Sequence, residues 1–236
     1  MVILTPATPD SVRMAYWNAD GSPGALCGNA ALCSGRLAVA LELVPAGEFC
    51  LLTDAGVVRV TAGGAGDTAE INLPEAELPA EHRGITLASG EQWCSFGTVG
   101  VPHLVVRVDD VEQVDVAGRG KRLRFDPSLG PAGANVNFVG TSGDGATWLI
   151  RTYERGVEGE TLACGTGTVA AALALVLREE ARLPIRLRSR GGRDLNVRGE
   201  RRGSRVTDLW LGGEGRLVFR GIWEGQLSFP HFGHLK

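Results

Sequence analysis

One unit occurs twice in this 236-residue chain, and that constrains its fold more than any other feature. The first copy is LCGNAALCSGRLAVALELVP, residues 26–45, and the second is ACGTGTVAAALALVLREEARLP, residues 163–184. Each opens on Cys-Gly and a small polar residue, Asn29 or Thr166, and enters an Ala- and Leu-rich run with high helix propensity. Each stops at a proline. The segments after the two prolines are repeated as well. FCLLTDAGVVRVTA and IRLRSRGGRDLNVRG both read as hairpins, and a further strand comes after each, AEINL and VTDLWL. GTVGVPHLVVRV, NVNFVG and TWLIRTYERG are rich in Val, Ile and Thr and read as strands. PEAELPAEHRG, residues 74–84, suits a linker, and GRGKRLRFD reads as a charged loop. Two such units predict two similar domains whose helix starts face one another across a cleft.

The rarer residues exclude several chemistries. Lysine occurs only at Lys121 and Lys236, so the chain has no P-loop lysine and no plausible Schiff-base lysine for pyridoxal phosphate. It has no C-x-x-C, H-x-x-x-H or H-E-x-x-H, so no metal site is expected; His231 and His234 in the tail are at most a weak one. Gly165-Thr166-Gly167-Thr168-Val169-Ala170 matches a dinucleotide fingerprint, but the polar TYERGVEGETLAC before it is a poor buried strand. A net charge of -3 points to no nucleic-acid or membrane partner. No apolar run approaches the ~18 residues of a membrane span, and the N-terminus does not resemble a signal peptide. Five cysteines, an odd count, read as reduced thiols in the cytoplasm.

The duplicated cysteines carry the chemistry. Cys27 and Cys164, 137 residues apart, each precede a helix whose first N–H groups have no intrahelical partner. The helix dipole is expected to lower the thiol pKa there. The N–H groups of Gly28, Asn29, Gly165 and Thr166 form a carboxylate site. A thiol on either side of the carbon bearing that carboxylate inverts it without a cofactor: one thiolate takes a proton and the other thiol delivers one. Cys33, Cys50 and Cys94 lack this duplicated context and read as small core residues.

The residues also carry a family resemblance. NADGSPGALCGNAALC, residues 18–33, resembles the first signature of the diaminopimelate epimerases, and YERGVEGETLACGTG, residues 153–167, closely resembles the second. GVPHLVV, GANVNFVG and LWLGGEGRLVFRG are similar to further family segments in the same order. The resemblance implies an α+β fold of two pseudo-symmetric domains, each a barrel-like mixed or antiparallel sheet around a central helix. The expected bounds are residues 1–76, completed by a C-terminal strand over 221–236, and residues 77–220. It also implies interconversion of LL- and meso-diaminopimelate, in lysine and cell-wall precursor synthesis, without cofactor or metal. Cys27 and Cys164 become the acid/base pair, with His103 and Glu154 beside them. Gly28, Asn29, Gly165 and Thr166 hold the reacting carboxylate, and Glu154 also contacts the amine. Asn18, Asn135 and Arg155 recognise the far end of the substrate, Arg155 being suited to a bidentate carboxylate clamp.

Three departures from the family pattern bear on function. MVILTPATPDSVRM contains no G-N-D-F segment, so either the recorded start is late or the first domain is incomplete, with sheet edges exposed. Ala30 and Leu32 stand where the family has glycine and arginine, and Val101 stands where it has an asparagine. A racemase for another amino acid and a non-catalytic ligand-binding relic of the fold therefore remain open beside the epimerase. The expected partner is a small amino acid, and a homodimer is left open. Locally, Asn18 also fits a turn, Asn135 a loop cap, His103 a satisfied core histidine, and Glu154-Arg155 an exposed charge pair.

Overall fold

The computed structural model describes residues 1–18, 20–64 and 66–222. The first half runs β1 (Val2–Thr8), β2 (Ser11–Trp17), β3 (Pro23–Gly24), α1 (Gly28–Ala40), β4 (Gly47–Thr53), β5 (Gly56–Ala62) and β6 (Thr68–Leu73). The second half runs β7 (Ala76–Glu77), β8 (Ala80–Glu81), β9 (Glu91–Val99), β10 (Val101–Val108), α2 (Val116–Arg124), β11 (Asn135–Thr141), β12 (Trp148–Glu154) and β13 (Gly159–Thr161). It then continues through α3 (Gly165–Leu177), β14 (Ile185–Ser189), β15 (Asp194–Arg202) and β16 (Arg205–Glu214).

The duplication extends to the strand pairing around the two long helices. β1–β2 and β11–β12 are antiparallel, as are β2–β3 and β12–β13. β2–β4 and β12–β14, which flank α1 and α3, are both parallel. β4–β5 and β14–β15, then β5–β6 and β15–β16, are antiparallel. The last strands of the two halves, β6 and β16, pair with each other and join everything into one continuous sheet. The fold is α+β, with a barrel-like sheet curled around a helix in each half. α1 packs on β1, β2, β5, β6 and β16, and α3 on β9 to β12 and β14 to β16.

The helices obey the same local rules at both ends. Cys27 and Cys164 are N-caps with extended backbone. Both helices stop well before their prolines. Each ends at a glutamate in the left-handed region, Glu42 (φ 57) and Glu179 (φ 60), with the Leu43 and Glu180 N–H groups donating back to Ala38 and Leu175. α3 is apolar all round and almost wholly buried, as a helix enclosed by a sheet must be. α1 is enclosed on fewer sides: Ala31, Leu32, Ser34, Gly35 and Ala38 are buried, whereas Cys33 is exposed. Cys33 is therefore not the core residue its apolar setting predicted.

The halves differ at one edge. β11 pairs with β10 in parallel, and β9 then pairs with β10. The equivalent edge of β1 carries no strand among the described residues. Two other expectations change. Residues 74–84 are not a free linker, because β7 pairs with β16 and β8 with β9. GRGKRLRFD contributes most of α2, which the two glycines had hidden. Gly120 lies against Tyr153, where a Cβ would come within 2.6 Å, so packing demands the residue that propensity disfavours. The expected strand over 221–236 lies almost entirely outside the described residues. Gly221 and Ile222 are irregular.

Candidate active site

The helix starts of the two halves meet. The Asn29 Nδ2 donates to the Ala163 carbonyl at 3.3 Å, tying the first turn of α1 to the residue before Cys164. Leu211 of β16, fully buried, lies beneath both turns. A Cβ on Gly165 would come within 2.9 Å of its Cδ2, and one on Gly28 within 3.7 Å. The same Gly165 Cβ would stand 3.7 Å from Asn29 Oδ1 and 4.0 Å from Gly28 Cα. Two sets of unpaired helix N–H groups thus lie side by side, with Cys27 and Cys164 at their heads.

The two thiols have different surroundings. Cys164 is buried, accepts from the Gly167 N–H at 3.4 Å, and lies 3.7 Å from Thr166 Oγ1. Burial pushes its pKa from 9.0 up to about 11, and the Glu154 carboxylate also raises it, outweighing the Thr166 and Gly167 hydrogen bonds. Ionised Cys27 raises it too, which places the two sulfurs within electrostatic reach. The expectation of a lowered pKa is overturned at Cys164, where loss of water outweighs the hydrogen bonds offered at the helix start. Cys27 is half-buried and has no side-chain cap bond. The Tyr16 hydroxyl hydrogen-bonds to it, and burial, then Cys27, then Glu154 raise the tyrosine's pKa. Tyr16 faces Gly24 across β2–β3, and a Cβ on Gly24 would come within 2.5 Å of the ring.

The other expected residues cluster on the strands around α3. Glu154 ends β12, near Cys164 and Tyr16. His103 lies in β10, fully buried, directly beside Asn135 of β11 in register. Burial lowers its pKa to about 4, opposed in part by the nearby Val99 carbonyl and assisted by the Arg155 charge, so the ring is neutral. Asn135 Oδ1 accepts from the Arg155 N–H at 2.7 Å, leaving the asparagine's NH2 for another partner. The Arg155 guanidinium forms no ion pair among the described residues. Asn18 is exposed in a turn with Ser22, its Nδ2 donating to Ser22 Oγ at 3.1 Å and lying against Gly24 beside Tyr16. Val101 starts β10. Its neighbour Gly100, at φ 68, abuts Thr166, so this apolar turn borders the carboxylate site.

Sequence reading missed Tyr16, Asn137, Thr152 and Leu211. The N-V-N alternation of β11 is the one signal that could have found Asn137, because a polar residue two positions from Asn135 in a buried strand needs a partner. No group of metal-binding side chains occurs among the described residues. A cavity of about 490 Å³ at the far end of α3, lined by Glu179, Arg182 and Arg201 among others, contains no thiol.

Known proteins share both the sequence and the fold. The family described as diaminopimelate epimerase matches residues 96–207. A diaminopimelate epimerase of Gemmatimonas aurantiaca is 40% identical, over 94% of this chain and 82% of that protein. One from Chlorobaculum tepidum is 35% identical, over 94% and 83%. Among solved structures, a probable proline racemase from Agrobacterium radiobacter shares the fold. It has a TM-score of 0.65 and 20% identity, over 90% of this chain and 72% of that one. On the duplicated fold, the paired thiols and these relatives, the chain belongs to the diaminopimelate epimerase family.

Proposed function

We propose that this protein interconverts LL- and meso-diaminopimelate without a cofactor, Cys27 and Cys164 exchanging protons with Cα from opposite sides. The supporting observation is that two cysteine-capped helix starts are joined through Asn29 and Ala163. The N–H groups of Gly28, Asn29, Gly165 and Thr166 hold the reacting carboxylate and stabilise the charge it gains when Cα loses its proton. One thiolate accepts that proton, and the opposite thiol gives its own to the other face. The product leaves with inverted configuration, and the two sulfurs have exchanged protonation states. Glu154 takes the substrate's ammonium group, His103 donates a hydrogen bond from Nε2, and Asn18, Asn135 and Arg155 receive the distal end.

Burial and the Glu154 carboxylate push the Cys164 pKa up to about 11, which makes Cys164 the thiol that holds its proton more firmly; Cys27 faces it beside the Tyr16 hydroxyl. The reading includes two units divided near residue 76, action in the cytoplasm on a free amino acid, no nucleic-acid partner, and a homodimer as the assembly to test. No helix among the described residues is long and apolar enough to cross a membrane.

The test is deuterium incorporation at Cα of diaminopimelate in heavy water. Wild-type protein exchanges the proton. Cys27→Ser and Cys164→Ser each lower exchange at least ~100-fold, the scale of a lost acid/base group. Full exchange by either variant contradicts the two-thiol mechanism, and no exchange by pure wild-type protein favours a ligand-binding relic. A second substrate reading rests on Val101, whose side chain offers no hydrogen bond at the turn beside Thr166. Faster turnover of a monocarboxylic amino acid than of diaminopimelate would establish a racemase of different specificity.

A further inference from the structure

We propose that Asn137 is a positioning residue: its carboxamide locks His103 in the tautomer that carries its proton on Nε2, making the ring a hydrogen-bond donor there and not a general base. This rests on the reading that His103 serves the two-thiol site, although the tautomer itself can be tested without it.

The assignment turns on which atoms can only give and which can only take. Asn137 is fully buried in β11. Its Nδ2 lies 3.1 Å from the Leu104 carbonyl oxygen and 3.2 Å from His103 Nδ1. Its Oδ1 accepts from the Thr152 hydroxyl at 3.0 Å. A carbonyl oxygen only accepts, so the atom facing Leu104 is the NH2, and the amide cannot be turned over without opposing two oxygens. An NH2 only donates, so its second hydrogen is aimed at His103 Nδ1, which must present a lone pair. The neutral ring then carries its hydrogen on Nε2. That nitrogen is buried and has no well-formed hydrogen bond among the described residues. A buried donor without a good partner is costly, so it is held ready for an acceptor brought by substrate.

The same carboxamide also reaches the helix start. A Cβ on Gly167 would come within 2.3 Å of Asn137 Oδ1 and 3.2 Å of Cys164 Sγ. Gly167 is the residue whose N–H donates to that sulfur. Asn137 therefore sets the spacing between His103 on β10 and Cys164 on α3, with Thr152 of β12 fixing its orientation. Val99 and Arg155 also act on the ring, the carbonyl of the first favouring a ring proton and the charge of the second opposing it.

The test is two-bond proton–nitrogen NMR of the full chain with labelled histidine at neutral pH, the His103 ring being assigned by its loss in His103→Asn. Wild-type protein should show Nε2–H. Asn137→Asp, nearly isosteric, places an acceptor opposite Nδ1 and should move the proton to that nitrogen. It should lower kcat for Cα exchange about 10-fold while KM changes less than about twofold. Asn137→Gln, which keeps the donor, should retain Nε2–H. A wild-type ring protonated on Nδ1, or Nε2–H retained with full kcat in Asn137→Asp, overturns the proposal. A purely packing role would lower stability in these variants without moving the proton. If wild-type protein catalyses no exchange, the epimerase reading fails, and the wild-type spectrum still decides the tautomer.

Discussion

At the scale of single residues, the two thiols are chemically unequal despite their matched positions. Both cap a helix, but Cys164 is buried among α3 and the strands of the second half and stands near a carboxylate, whereas Cys27 is half-buried beside a tyrosine hydroxyl. In the proposed two-thiol mechanism the active form holds one proton between the two sulfurs. The alkaline limb of kcat/KM is the loss of that proton from Cys164, expected near pH 11. Glu154 raises that pKa, so Glu154→Gln removes the repulsion and should shift the limb to lower pH. A pH profile of Cα exchange for wild type and Glu154→Gln checks this; an unmoved limb, or one moved upward, would show that the carboxylate does not act on the thiol.

Elements position these residues through small side chains at helix starts. Gly167 is pressed between Asn137 and Cys164, and a methyl group has no room there. Gly28, the first residue of α1, has ordinary contact distance to Leu211. Gly167→Ala should therefore cost about 1–3 kcal/mol from overpacking. Gly28→Ala should stay within about 1 kcal/mol of wild type, because alanine's helix propensity offsets the new contact. Urea unfolding of both variants measures the difference, and equal losses would refute the asymmetry. α2 gives the same lesson in reverse. Its sequence shows two glycines and a basic run, whereas the helix exists because Asp115 caps it at the Gly118 N–H and Gly120 admits Tyr153.

For the whole molecule, the decisive contact is the one between halves. β6 and β16 pair across the pseudo-repeat, and Leu211, opposite Ile71 in that ladder, supports both helix starts. Leu211→Ala should destabilise the protein by about 2–5 kcal/mol through the cavity it leaves. It should also lower kcat for exchange more than a Leu→Ala change of equal stability cost at Leu187, buried in β14 away from the joint. Equal effects on kcat from the two variants would mean that the spacing of the helix starts does not depend on Leu211.

Much of the site was legible in the chain because its signals are local. A cysteine, a glycine and a polar residue before an apolar helical run specify a cap with free N–H groups, wherever the helix goes, and finding the unit twice predicts a second one like it. The hairpins at Asp54-Ala55-Gly56 and Gly191-Gly192 are likewise short-range. Burial and partnership are not local. The raised pKa of Cys164, the tyrosine on Cys27, the exposure of Cys33 and the Asn137–His103 contact all depend on which strand lies beside which. That order is set by long-range pairing of β10 with β11 and of β6 with β16, where buried area and satisfied hydrogen bonds outweigh local preference.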